Sequence, residues 1–233
     1  MIGIICAMSI EVDGLKEKMS GVSIINAAQM DFTQGTIEGV DVVCVQCGIG
    51  KVNAAVCTQL MIDIFKPAVI INSGVAGALC GEVSVGDIVI ASDVVQHDMN
   101  VTALGDPRGM IYFTDDDTTV YIDADKEVSA KLMTACASIA DTKVVSARLA
   151  TGDIFVSDRR KRLKINSEFG AVACEMEGGA IAQTCHRNAV PFAILRCISD
   201  DINNEKAIDY MKFKKIAADK SVAAVLKYLE WLV

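Results

Sequence analysis

Short apolar runs with no polar residue at alternate positions recur along the whole chain, and nothing else in it constrains the fold as strongly. In Pro67-Ala68-Val69-Ile70-Ile71 the apolar residues are consecutive, so a strand built from them is covered on both faces. Comparable strand-like runs occupy 2–7, 40–47, 68–73, 87–97, 142–150, 171–175 and 191–198. Between them lie segments with helical periodicity, at 10–19, 51–65, 124–139, 158–167, 177–188 and 208–230. This alternation predicts an α/β fold, three layers (α/β/α) around a mixed, largely parallel central sheet. A hairpin expected around 22–38 adds antiparallel character. The segment 98–120, with Gly105-Asp106-Pro107-Arg108-Gly109 and Asp115-Asp116-Asp117, has the least regular pattern and reads as a lid or partner contact.

Composition narrows the function classes. A chain of 233 residues fits one α/β domain spanning 1–233. Apolar residues make up 52% and aromatics only 5%, so the core is aliphatic. The net charge is −8, and the one basic run, Arg159-Arg160-Lys161-Arg162, falls in a predicted helix and reads as a solvated face. Polymeric nucleic acid is therefore not an expected partner. The nine cysteines sit mostly within apolar runs without framework spacing, as reduced thiols do in a cytoplasmic protein. Cys44 and Cys47 share a predicted strand, where residues three apart point to opposite faces, so no metal site is expected there. Ile2-Gly3-Ile4-Ile5 reads as a first buried strand and not a signal peptide, and no apolar run approaches the roughly 20 residues of a membrane span.

In α/β sheets ligands bind beyond the carboxyl ends of the strands, so the residues following each run carry the functional signal. They include Met8 and Glu11, Gly48-Ile49-Gly50-Lys51, Gly74-Val75-Ala76-Gly77, Thr151 to Val156, Glu175-Met176-Glu177 and Ser199-Asp200. Glu11, Glu177 and Asp200 come from distant parts of the chain to one edge, and a purely structural protein gains little from collecting like charges there. Simpler roles exist for each. Gly48-Ile49-Gly50 reads as a tight turn, Glu177 as a favourable charge at a helix start, Asp200 as an N-cap and Glu11 as a surface acid. His97 reads as support for a strand end and His186 as structural. Carboxylates without a histidine base point to glycosidic rather than acyl chemistry.

With these residues assembled, the chain resembles the 5′-methylthioadenosine/S-adenosylhomocysteine nucleosidases of the nucleoside phosphorylase superfamily. The matching segments are Ile2 to Met8 leading to Glu11, Gly48-Ile49-Gly50-Lys51-Val52, Asn72-Ser73-Gly74-Val75-Ala76-Gly77, Val85-Gly86-Asp87, His97-Asp98, Val101-Thr102-Ala103, Gly152-Asp153-Ile154-Phe155, Glu175-Met176-Glu177-Gly178 and Arg196-Cys197-Ile198-Ser199-Asp200. The resemblance implies that Asp200 protonates adenine at N7 and that Glu11 activates water. It implies that Met176 and Glu177 bind the ribose beside Glu175, that Phe155 stacks on adenine, and that the Val156 backbone reads its edge. Arg196 and Ser199 would orient the acid. Met8, Ile49 and Tyr210 would line the 5′-thioalkyl pocket, closed by Val101 and Leu104 of a partner subunit, so a homodimer is implied. No cofactor or metal is.

The chemistry is consistent with those roles. A neutral base leaves more readily than an anion, and positive charge developing on the ribose is stabilised by nearby carboxylates. Asp200 must hold a proton when substrate is bound, which a desolvated site favours. Within the superfamily the rival is a phosphorylase. That reaction needs a cation for phosphate, usually arginine, and the first arginine here is Arg108. Lys51 reads as opening a helix that faces outward, which favours water as the nucleophile. A nucleoside-binding module without catalysis and a futalosine-type nucleosidase are also compatible with these residues. Val75 stands where many members carry a hydroxyl, Leu104 and Asp106 where aromatics line the tail pocket, and Tyr210 for a phenylalanine.

Overall fold

The computed structural model describes the backbone of residues 1–202 and 207–233, and the side chains of 1–202 and 213–233. Its elements follow the predicted order: β1 (Ile2–Cys6), α1 (Ser9–Lys16), β2 (Ser20–Ala27), β3 (Met30–Ile37), β4 (Val40–Gln46), α2 (Lys51–Phe65), β5 (Val69–Ala78) and β6 (Ile88–Gln96). A 3₁₀ turn over Thr102–Leu104 and the short strands β7 (Ile111–Tyr112), β8 (Thr118–Thr119) and β9 (Ile122–Asp123) come next. The chain ends with α3 (Lys126–Cys136), β10 (Val144–Thr151), α4 (Arg159–Phe169), β11 (Ala173–Glu175), α5 (Gly178–Arg187), β12 (Phe192–Asp200) and α6 (Ala207–Trp231). The segment 98–120 is thus less irregular than its pattern suggests, because β7 and β8 pair with each other. The expected hairpin is β2–β3, turned by Ala28 and Gln29, both at positive φ.

The sheet runs β11-β10-β6-β12-β5-β1-β4-β3-β2. Its centre is parallel, β1 lying between β4 and β5. It then curls back on itself, since β11 also pairs antiparallel with β5 through Ala173 with Ala78 and Cys174 with Gly77. Apolar residues on successive positions of β1 and β4 divide between two cores. Ile5, Val43 and Val45 pack with Met61 of α2 and Ile181 of α5, while Ile4, Cys6 and Cys44 pack with Leu15 of α1, Leu132 of α3 and Val225 of α6. Helices on both faces explain why those runs are continuous and not alternating. All nine cysteines are free and buried, and Cys44 and Cys47 belong to opposite cores, as the strand period requires. Among the described residues no helix is long and apolar enough to cross a membrane.

Two strands outrun their sequence pattern, and both carry the site. β5 does not stop at residue 73 but continues through Gly74-Val75-Ala76-Gly77, a stretch of low strand propensity. Pairing on both sides holds it extended, with β12 along Gly74 to Gly77 and with β11 at Gly77. β12 in turn includes Ser199 and Asp200, with a register shift between Ile198 and Asp200. A bulge of this kind re-aims side chains at a sheet edge. Asp200 is therefore the last residue of a strand and not a helix N-cap.

Candidate active site

The carboxyl ends of β1, β5, β11 and β12 surround a cavity that opens to solvent. Its walls are built from backbone turns that leave donors or small residues facing inward.

The first wall is the β1–α1 junction. Glu11 lies in the first turn of α1, and its side chain folds back over the helix start. Oε2 accepts from the amides of Ala7 (3.0 Å) and Met8 (2.9 Å), and Oε1 accepts from the amide of Val75 (3.0 Å). Glu11 is only 2% exposed, so it is no surface acid. Burial raises its pKa; the charge of Arg196 and the three amide donors oppose that rise without cancelling it. Gly74 makes room for it, since a Cβ there would lie 2.6 Å from Oε1.

The second wall is the turn between β11 and α5. Glu175 Oε2 accepts from the amides of Glu177 (3.0 Å) and Gly178 (2.7 Å), so it takes the capping role at α5. Its Oε1 accepts from the Thr151 hydroxyl. Arg196 Nη2 donates to Glu175 Oε2 and to Asn72 Oδ1, both at 2.5 Å, and stands 3.9 Å from Glu177 Oε2. Glu177 is thereby freed from capping and accepts from the Gly50 amide at 2.8 Å. Burial, reinforced by the charge of Glu175, pushes its pKa from 4.5 to about 7. This turn corrects one expectation: Arg196 orients the Glu175–Glu177 pair, not the acid at Asp200.

The third wall holds Asp200, 3% exposed. The Ser199 hydroxyl donates to Oδ1 at 2.9 Å. Oδ2 pairs with Arg162 of α4. Gly77 lies beneath, where a Cβ would come within 3.0 Å of Oδ2. Sequence reasoning misses Arg162 because it belongs to the basic run. Arg159, Arg160 and Lys161 are indeed exposed, but Arg162 is buried. A signal is nevertheless present: Arg162, Ile165 and Phe169 share one helical face, and all three are buried.

Met8, Ile49, Val75, Phe155, Val156 and Met176 also line the cavity. Phe155 is 49% exposed and Ile49 54% exposed at its mouth, an apolar rim suited to an aromatic ring and a thioalkyl tail. Val75 contributes its amide to Glu11, so the missing hydroxyl leaves that carboxylate anchored by backbone. Tyr210 falls in α6, but its side chain lies outside the described residues. Val101 and Leu104 stand apart from this chain's own cavity, and Leu104 is 77% exposed. The His97 amide donates to the Thr151 carbonyl at 2.9 Å, at a strand end, and His186 stacks on Phe113. Lys51 is not free to meet an anion, because its ammonium is 2.7 Å from Asp98. Among the described residues no group of three or more His, Cys, Asp or Glu side chains is placed to hold a metal ion.

Many known proteins are similar to this chain. The family model of the phosphorylase superfamily matches residues 1–230. A 5′-methylthioadenosine/S-adenosylhomocysteine nucleosidase from Shewanella halifaxensis is 38% identical over 232 residues, 99% of each chain. A crystal structure of such a nucleosidase from Colwellia psychrerythraea, in complex with adenine, superposes with a TM-score of 0.92 at 34% identity, covering 99% of this chain and 95% of that one. A futalosine hydrolase from Helicobacter pylori reaches a TM-score of 0.90 at 28% identity, covering 98% and 97%. The chain thus belongs to the phosphorylase superfamily, within its 5′-methylthioadenosine/S-adenosylhomocysteine nucleosidase family.

Proposed function

We propose that the protein hydrolyses the N-glycosidic bond of 5′-methylthioadenosine, S-adenosylhomocysteine and 5′-deoxyadenosine, releasing adenine and the corresponding ribose. One observation carries this reading: Glu11 and Asp200 line one cavity, each admitted by a glycine of β5. Asp200 gives a proton to N7 of the base, so that adenine leaves neutral. Glu177 holds the ribose hydroxyls, and Phe155 and the Val156 backbone hold the purine. Glu11 takes a proton from the attacking water. A positioned acid or base of this kind contributes about 10²–10⁴-fold in rate.

Water rather than phosphate is the nucleophile because the anion's natural donors are occupied. The Ala7, Met8 and Val75 amides already bind Glu11, and Arg196 and Arg162 already pair with carboxylates. A second copy of the chain completes the tail pocket with Val101 and Leu104. Reduced, buried cysteines accord with a cytoplasmic enzyme acting in methionine salvage.

The test is adenine release from methylthioadenosine with and without phosphate, using wild type and Asp200→Asn. Release independent of phosphate and lost in Asp200→Asn is expected. A phosphate requirement refutes hydrolysis, and full activity in Asp200→Asn removes the acid. Competition among methylthioadenosine, S-adenosylhomocysteine, 5′-deoxyadenosine and aminodeoxyfutalosine then separates this reading from the futalosine-type one, which the Helicobacter pylori neighbour keeps in view.

A further inference from the structure

Arg162 is 3% exposed, and its guanidinium reaches four partners on three segments. Nε donates to the Val156 carbonyl at 2.8 Å, and Nη1 to the carbonyls of Asp201 (2.9 Å) and Ala78 (3.3 Å). Nη2 donates to Asp200 Oδ2. One planar fork therefore joins the end of β5, the end of β12 and the segment that carries Phe155 and Val156. Because the guanidinium is rigid, it fixes the relative placement of the groups it binds.

Those groups are the ones a purine meets together. Asp200 has Oδ1 held by Ser199 and Oδ2 held by Arg162, so the plane of its carboxylate is set at both oxygens. The Val156 backbone is held by the same arginine. Three of its four acceptors are backbone carbonyls and the fourth is the Asp200 carboxyl group. We propose that Arg162 is a positioning residue for base protonation, fixing the plane of the Asp200 carboxylate and its spacing from the Val156 backbone. This rests on the nucleosidase reading and adds to it a residue that acts through Asp200 without reacting itself.

The experiment measures equilibrium binding of adenine and of 7-deazaadenine, in which a C–H replaces N7, to wild type, Arg162→Met and Arg162→Lys. Turnover of methylthioadenosine is followed alongside, at a temperature where thermal unfolding shows each protein folded. If Arg162 acts through Asp200 at N7, it is energetically coupled to that single atom. The wild-type preference for adenine over 7-deazaadenine should then shrink toward one in Arg162→Met. The kcat should fall by about 10²-fold, with KM changed much less, and Arg162→Lys should recover part of both.

A preference undiminished in Arg162→Met, or wild-type kcat in both variants, overturns the proposal. So does failure of both variants to fold, which would make Arg162 a strut of the architecture alone. A wild type that releases no adenine refutes the function itself, so the two failures are distinguishable.

Discussion

At the scale of single residues, the site works by giving similar carboxylates different surroundings. Glu11 has three amide donors and, among the described residues, no ion pair with a side-chain cation, whereas Glu175 is bound to Arg196 and caps a helix. Glu11→Gln has the same shape but sets an NH₂ group against at least one of those amides. Adenine release should fall by about 10²–10⁴-fold, while equilibrium binding of methylthioadenosine to the folded variant stays within a fewfold of wild type. Lost binding in a folded variant would remove Glu11 from water activation. Glu177 offers a separate check through stability. Its pKa rises from 4.5 to about 7, so the folded protein binds that proton more tightly than the unfolded chain. The stabilisation is full below the ordinary glutamate range and is lost as pH climbs through about 7. The Tm of the empty protein should therefore drop between about pH 5 and pH 8 on this group's account. Glu177→Gln should flatten that stretch, and an unchanged slope would contradict the assignment.

At the scale of elements, the decisive piece is the far half of β5. Its glycines have ordinary backbone angles, so space and not conformation demands them. Gly74→Ala places a methyl 2.6 Å from Glu11 Oε1, and the carboxylate must turn away. Misplacement of about 1 Å can cost about 10²-fold in rate. We expect a loss of that order in kcat with only a small change in Tm, and near-wild-type kcat would show that Glu11 tolerates displacement. The same strand marks where sequence reading ends. Val69 to Ile71 announce a doubly covered strand by composition, whereas Gly74 to Gly77 are strand only because β12 and β11 pair with them. Such pairing is non-local and leaves no local pattern. Glu11, Glu177 and Asp200 are legible because acids and glycines recur after apolar runs. The partner of Asp200 is not, because Arg162 sits among exposed cations and only its phase with Ile165 and Phe169 sets it apart. Arg196 is legible as a site residue but not by its carboxylate, since the bulge at the end of β12 turns neighbouring side chains to different walls.

At the scale of the molecule, the apolar surface around the cavity mouth asks for cover. Ile154 and Phe155 at that mouth are nearly half exposed, and Leu104, apart from this chain's own cavity, is 77% exposed; exposed apolar patches commonly mark association sites. In the proposed dimer each cavity takes its acids from one chain and Leu104 from the other. Leu104→Asp should therefore raise KM for methylthioadenosine by about tenfold, the value of one buried aliphatic contact, and leave kcat nearly intact if dimers persist in sedimentation. Glu11→Gln should be almost inactive at any substrate concentration. A mixed dimer of the two variants would then contain one site with Glu11 and a native Leu104 from its neighbour, and one site defective in both. Mixing the two proteins under conditions of subunit exchange should bring back a fraction of activity with the wild-type KM. No such fraction, despite exchange shown by a tagged subunit, would mean that each chain completes its own tail pocket and that the apolar rim serves another purpose.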